Sequence, residues 1–258
     1  MKTKVILLVA AVGFVLSACA STQAKIDAQR AKDPRYQYNL GLMYLNNPST
    51  GPNPVDEAIG YFNKAIALNP KYYLAYNARG LAMIMKGDTS GAIRSFQKCL
   101  EIDPAFSEAR NNLGSVYESQ GLTSLAESEY LKALADETYS TKELPYYNLA
   151  RMSFALGKYD EALNYVLKSI QFNSRFAMAY NLRGMIFAKM GQLQDAITSF
   201  NQAVKLVPDD MNFQFNLAQA YFDSGDKEQA EDIFSLIMSK TTDPELRAKV
   251  AEYRKKGK

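Results

Sequence analysis

Residues 73–104 read YLAYNARGLAMIMKGDTSGAIRSFQKCLEIDP, and residues 177–208 read AMAYNLRGMIFAKMGQLQDAITSFNQAVKLVP. Gly80 and Gly184, Gly87 and Gly191, Ala92 and Ala196, Phe96 and Phe200, and the closing Pro104 and Pro208 fall at matching places in the two. Outward from these stretches the same pattern recurs with a period of 34 residues. The first small position is held by Gly41, Gly80, Gly114, Ala150, Gly184 and Ala218. Gly87, Gly121, Gly157, Gly191 and Gly225 follow seven residues after the last five of these, and Ala58, Ala92, Ala126, Ala162, Ala196 and Ala230 mark the second small position. Four residues on stands a large side chain, Phe62, Phe96, Tyr130, Val166, Phe200 or Phe234. A period of this length is the mark of stacked supersecondary units, each too small to bury its apolar face alone.

The spacing predicts two helices per unit. The small residue on the first helix (A) and the alanine on the second (B) allow close approach, the second glycine ends helix A in a left-handed conformation, and proline stops helix B. This pattern resembles the tetratricopeptide repeat. The resemblance implies an all-α fold, a right-handed superhelical solenoid of six repeats over residues 34–244, in units 34–72, 73–106, 107–142, 143–176, 177–210 and 211–244. The first unit carries an insertion, Asn46 to Pro54, whose Asn, Pro, Ser and Gly content reads as a loop. Beyond the array, Asp243-Pro244 reads as an N-cap and first helical position, Leu246, Val250 and Tyr253 form one apolar stripe, and Arg254 to Lys258 are basic. Residues 245–258 are therefore expected to be a capping helix with a solvated basic end.

Composition excludes several function classes. The chain has 258 residues, 47% hydrophobic and 22% charged, which suits a folded protein rather than a disordered one. It has no histidine, the commonest general acid-base and metal-ligating residue, and only two cysteines, so neither a catalytic set nor a metal site is expected. The net charge of +3 falls by two to +1 when residues 1–18, with Lys2 and Lys4, are removed, which is no surface for nucleic acid. We expect no enzyme activity, no cofactor and no small-molecule substrate. Cys99 lies at the B-helix position held by Ala65, Ala133 and Ala203 in other units, and is expected to be a buried, inert thiol.

The first 18 residues read as a signal peptide. Lys2 and Lys4 precede an apolar run from Val5 to Leu16, too short to span a bilayer of about 30 Å as a helix. Leu16-Ser17-Ala18-Cys19 resembles the lipobox of bacterial lipoproteins, which implies cleavage before Cys19 and its acylation, a covalent lipid in place of any cofactor; an ordinary signal peptide with a chance cysteine is the other reading. Ala20 follows where an Asp would imply retention in the inner membrane, so the resemblance implies the periplasmic face of the outer membrane. Residues 19–33 are then the lipidated cysteine and a polar tether, the latter spanning at most about 45 Å when extended.

In such arrays the first helices line a concave groove. Its candidate partner-binding residues are Tyr38, Leu42, Leu45, Leu81, Ile84, Met85, Tyr147 and Phe154, with Met178, Met185, Phe215 and Phe222 in the later units and the more polar Asn111, Ser115, Glu118 and Ser119 in the third. Each apolar position can serve helix packing or ligand contact. Asn77, Asn111 and Asn181 stand where chaperone-binding repeats place a carboxylate-gripping lysine, so the expected ligand is an amphipathic helix or an extended apolar segment.

The join between units three and four is two residues longer than the period and lacks a closing proline, reading Glu137-Thr138-Tyr139-Ser140-Thr141-Lys142-Glu143-Leu144 after Ala109-Arg110-Asn111-Asn112-Leu113-Gly114. These segments resemble the lipoprotein pilotins of type IV pili, the PilF/PilW and Tgl group. That resemblance implies a partner, the secretin or another envelope protein, which the protein helps to localise or multimerise, and membrane attachment through the lipid. Ser140 where many members have Pro, and Leu113 where Tyr is frequent, are departures. An adaptor for peptidoglycan hydrolases is the alternative reading.

Overall fold

The computed structural model describes residues 27–47, 49 and 52–256, and no strand occurs among them. The helices are α1 (Pro34–Asn46), α2 (Pro54–Leu68), α3 (Tyr73–Lys86), α4 (Thr89–Ile102), α5 (Ser107–Ser119), α6 (Thr123–Leu134), α7 (Glu143–Ala155), α8 (Tyr159–Phe172), α9 (Ala177–Lys189), α10 (Leu193–Leu206), α11 (Met211–Ser224), α12 (Lys227–Lys240) and α13 (Pro244–Lys256). The signal peptide, Cys19 and residues 20–26 lie outside the described residues. Residues 27–31, read above as the end of a tether, are helical.

Local chemistry sets the helix ends. Asp33, Asp88, Asp210 and Asp226 accept hydrogen bonds from backbone amides of the first turns of α1, α4, α11 and α12, which satisfies donors that have no partner inside the helix. Gly87 and Gly225 end α3 and α11 at φ 83° and 94°. That region costs an L side chain about 1–2 kcal/mol, so glycine stands at this point of each hairpin.

The chain divides within α5 into two units, residues 1–116 and 117–258. In the first, the fully buried Phe62 of α2 packs with Ala58 of the same helix and Ala78 and Ala82 of α3, and Tyr38, Leu42 and Leu45 of α1 lie against this cluster. The smallness of Gly80 is structural: a Cβ there would stand 2.5 Å from the ring of Phe96. In the second unit, Tyr130 packs with Leu149 and Met152; Val166 packs with Ala179, Leu182 and Ile186; and Phe200 packs with Leu217 and Ala220. The B helices α2, α6, α8, α10 and α12 thus each present one large side chain to the helix that follows.

A second periodic device joins the end of one unit to the start of the next. The fourth residue of an A helix donates a side-chain hydrogen bond to the backbone carbonyl six residues earlier: Gln37 to Ala31 (2.9 Å), Tyr76 to Pro70 (3.3 Å), Arg110 to Pro104 (2.6 Å), Tyr180 to Ser174 (3.3 Å) and Gln214 to Pro208 (3.1 Å). The donor type varies while the geometry persists, so residue identity alone conceals it. Ala31 therefore occupies the place of a repeat-closing proline, which explains why the residues before α1 are helical. Arg247 makes the same bond to Thr241 (3.1 Å), placing α13 in the register of a further A helix. Leu246 and Val250 of α13 are buried, and the Tyr253 ring lies 5.7, 5.5 and 6.0 Å from those of Phe215, Phe222 and Phe234.

Cys99 is fully buried in the first unit. Burial, with Asp103 and Glu108 nearby, pushes its thiol from 9.0 up to about 12. The thiolate is the reactive form, so native Cys99 is expected to resist iodoacetamide at pH 8 and to react once the chain is denatured, as read by mass spectrometry of its peptide. The folded-state pKa is raised above the unfolded value. Its contribution to stability is thus complete below pH 9 and declines as the pH rises from 9 toward 12, because the unfolded thiol ionises first. Cys99→Ala should flatten part of that alkaline decline; an unchanged pH profile would contradict the assignment.

Candidate functional site

The A helices carry the side chains left over from packing. In the first unit, Tyr38 is half-buried, its ring 5.9 Å from Phe62 and edge-on to Tyr72 at 5.3 Å. Burial raises its pKa, with Tyr72, Glu108 and Tyr73 adding to the effect. Leu42 and Leu45 are half-buried against the Phe62 cluster. Leu81 is half-buried, while Ile84 and Met85 are 43% and 60% exposed. Of the six candidates here, three close the helix stack and Ile84 and Met85 offer the most surface to a partner.

Asn77 extends this face. Its Nδ2 donates to Glu108 at 3.0 Å, and its Oδ1 accepts from Asn112 Nδ2 at 3.1 Å. In the second unit Asn216 Nδ2 donates to Asn181 Oδ1 at 2.8 Å. Both Asn pairs span 35 residues, so the repeat places amide against amide on successive A helices. Of the asparagines that stand in place of a lysine clamp, Asn77 is thus paired with Asn112 and Asn181 with Asn216.

In the second unit, Tyr147 is half-buried and edge-on to Phe176 at 5.1 Å, and burial raises its pKa. Phe154 lies 5.7 Å from Tyr159 and packs against the Val166 cluster. The polar reading of unit three gains a partner: Glu118 accepts from Arg151 Nη2 at 2.5 Å and from the Tyr130 hydroxyl at 2.9 Å, and the Arg151 guanidinium stands 5.9 Å over the Tyr147 ring. Arg151 is about half exposed, so this pair shapes the face more than it stabilises the fold.

Farther along the same unit a cleft of about 220 Å³, open to solvent, lies among Phe154 of α7, Met185, Ala188 and Lys189 of α9, Phe200 of α10, and Asn216, Gln219, Ala220 and Asp223 of α11. Phe154 and Met185 were legible as candidates. Ala188 was not, because its importance lies in the volume it lacks. Among the described residues no group of three or more His, Cys, Asp or Glu could hold a metal ion, and no helix is long and apolar enough to cross a membrane. This site offers shape, apolar surface and amides, the means of recognising a polypeptide.

Comparison with known proteins agrees with the repeat reading. Models of the tetratricopeptide repeat match residues 73–106, 95–128 and 146–175, and a TPR-repeat model matches residues 184–225. The solved structure of PilW, a widely conserved type IV pilus biogenesis factor, superposes with a TM-score of 0.74 at 21% identity, covering 83% of this chain and 97% of that one. PilF of Pseudomonas aeruginosa superposes with a TM-score of 0.74 at 19% identity, covering 87% of this chain and 99% of that one. In sequence, the type IV pilus assembly protein PilF of Pseudomonas aeruginosa is 29% identical over 135 residues, 51% of this chain and 52% of that protein. The chain spans between 16% and 45% of the length of seven other curated relatives that it matches.

Proposed function

We propose that this chain of tetratricopeptide repeats is a lipid-anchored protein of the periplasmic face of the outer membrane, and that it binds the secretin of a type IV pilus and assists its localisation or multimerisation. The observation that supports this reading is the fold likeness to two type IV pilus proteins over 97% and 99% of their solved chains. An acylated Cys19 would hold the A-helix faces close to the bilayer, where the partner is inserted; several acyl chains make such an anchor stable, since each buried methylene contributes about 0.8 kcal/mol.

The test is deletion of the gene followed by electrophoresis of unboiled membranes. Loss of secretin multimers is the expected result, and normal multimers would overturn the proposal. Cys19→Ala should abolish acyl labelling and reduce the multimers. For the binding face, Ile84→Glu with Met85→Glu is the informative variant, because both side chains are exposed. Leu45→Glu would place a charge against the Ala58–Phe62 cluster and confound binding with folding.

A further inference from the structure

Among the A helices α1, α3, α5, α7, α9 and α11, the twelfth residue of the helix is Leu45, Ile84, Glu118, Phe154, Ala188 or Phe222. Ala188 is the single small one. The cleft bounded by Phe154, Met185, Phe200 and Ala220 surrounds this shortened side chain. Met185 and Ala188 also lie against the buried Phe200 and Ala220, so the floor is apolar and already packed. Such a hole accepts one large apolar side chain from outside, the geometry of an interface anchor.

The rim is chemically different. Lys189 and Asp223 are exposed and occupy equivalent positions, 34 residues apart, on the successive A helices α9 and α11. Neither makes an ion pair among the described residues, although Asp223 adds to the negative field that raises the Lys256 pKa, Lys256 itself being paired with Glu252. The Gln219 side chain, also lining the cleft, makes no hydrogen bond among the described residues, and Asn216 donates to Asn181 and keeps its oxygen as an acceptor. An apolar hole flanked by one cation, one anion and two amides is complementary to an extended backbone bearing a large apolar residue between an acidic and a basic one.

We propose that this cleft is the anchor site for such a segment of the partner protein: an extended strand that seats a phenylalanine-sized side chain over Ala188, with its flanking acid at Lys189 and its flanking base at Asp223. The inference rests on the reading that the chain binds a protein. It does not require that the protein be a secretin.

The test uses the full mature chain in detergent, with methyl-labelled methionine, and two capped synthetic peptides, Gly-Glu-Gly-Phe-Gly-Lys-Gly and its charge-reversed counterpart Gly-Lys-Gly-Phe-Gly-Glu-Gly. One charge order should shift the Met185 methyl resonance saturably and bind at least tenfold more tightly than the other; replacing its Phe with Ala should weaken binding at least tenfold. Ala188→Phe should fill the hole and weaken binding by a similar factor. Phe already occupies this position at 154 and 222, and the circular dichroism of the variant checks its fold. The double exchange Lys189→Glu with Asp223→Lys, confined to exposed side chains, should invert the preferred order. No saturable shift with either peptide, or an order preference that the exchange leaves unchanged, would overturn the proposal. The secretin assay is read separately: peptide binding with normal multimers rejects the pilotin role alone, and lost multimers without peptide binding reject this cleft alone.

Discussion

Phe96→Ala is expected to lower the unfolding free energy by about 3–5 kcal/mol, the range for emptying a fully buried aromatic site. The ring is wholly excluded from solvent and lies where a Cβ on Gly80 would come within 2.5 Å of it. The same contact predicts the opposite error. Gly80→Ala gains about 1 kcal/mol of helix propensity, yet overpacking against the ring costs about 1–3 kcal/mol, so the net effect is a modest loss. In the α11/α12 hairpin Ala218 packs in the same cluster as Phe234, which shows that a helix pair of this kind can open enough for a methyl group and puts the cost at the lower end. The α7/α8 hairpin pairs Ala150 with the smaller Val166. Gly80→Ala combined with Phe96→Val should therefore be more stable than the sum of the single losses predicts. Urea unfolding followed by circular dichroism measures all three variants. A loss below about 1 kcal/mol for Phe96→Ala, typical of a surface site, would mean that the ring is not the keystone of its hairpin.

Ending the chain after Asp243 removes α13 and is expected to destabilise the second unit by about 4 kcal/mol or more, since each large apolar side chain returned to water costs about 1.5–3 kcal/mol. Leu246 and Val250 are buried, and Tyr253 leaves behind the rings of Phe215, Phe222 and Phe234. The pairing of Arg254 with Glu231 is largely exposed and contributes little to this figure. Repeats are stabilised by their nearest neighbours, so the damage should be local. Hydrogen exchange should show lost protection in α11 and α12 and retained protection in α7 and α8. Unchanged protection in α12 would show that α13 does not cap the array. Arg254 also bears on the basic end of the chain. Its guanidinium hydrogen-bonds Glu231 and Ser235, and Lys256 pairs with Glu252, so much of that charge is engaged within the fold.

The helices and their pairing were legible because their causes are local. Gly80, Gly87, Ala92 and Phe96 stand at spacings that set, in turn, a close approach, a helix end, a second close approach and the ring that fills it. The apolar groove was legible only as a set of positions. Tyr38 and Tyr147 face aromatic rings at the start of the next A helix, Tyr72 and Phe176, and spacing within one helix cannot say that a neighbour 29 or 34 residues away will cover them.

Sequence by itself determined the all-helical repeat, its register and the capping stripe of Leu246, Val250 and Tyr253, because helix ends and small-against-large pairing follow from residue type and spacing along the chain. Tertiary structure alone decided which A-helix side chains remain for a partner. Ile84 and Met85 stay exposed while Leu42 and Leu45 are drawn into packing, and Ala188 opens a cleft because the surrounding Phe154, Met185 and Phe200 come from three different helices. Exposure and empty volume are properties of what surrounds a residue in space, and that neighbourhood exists only once the helices have stacked.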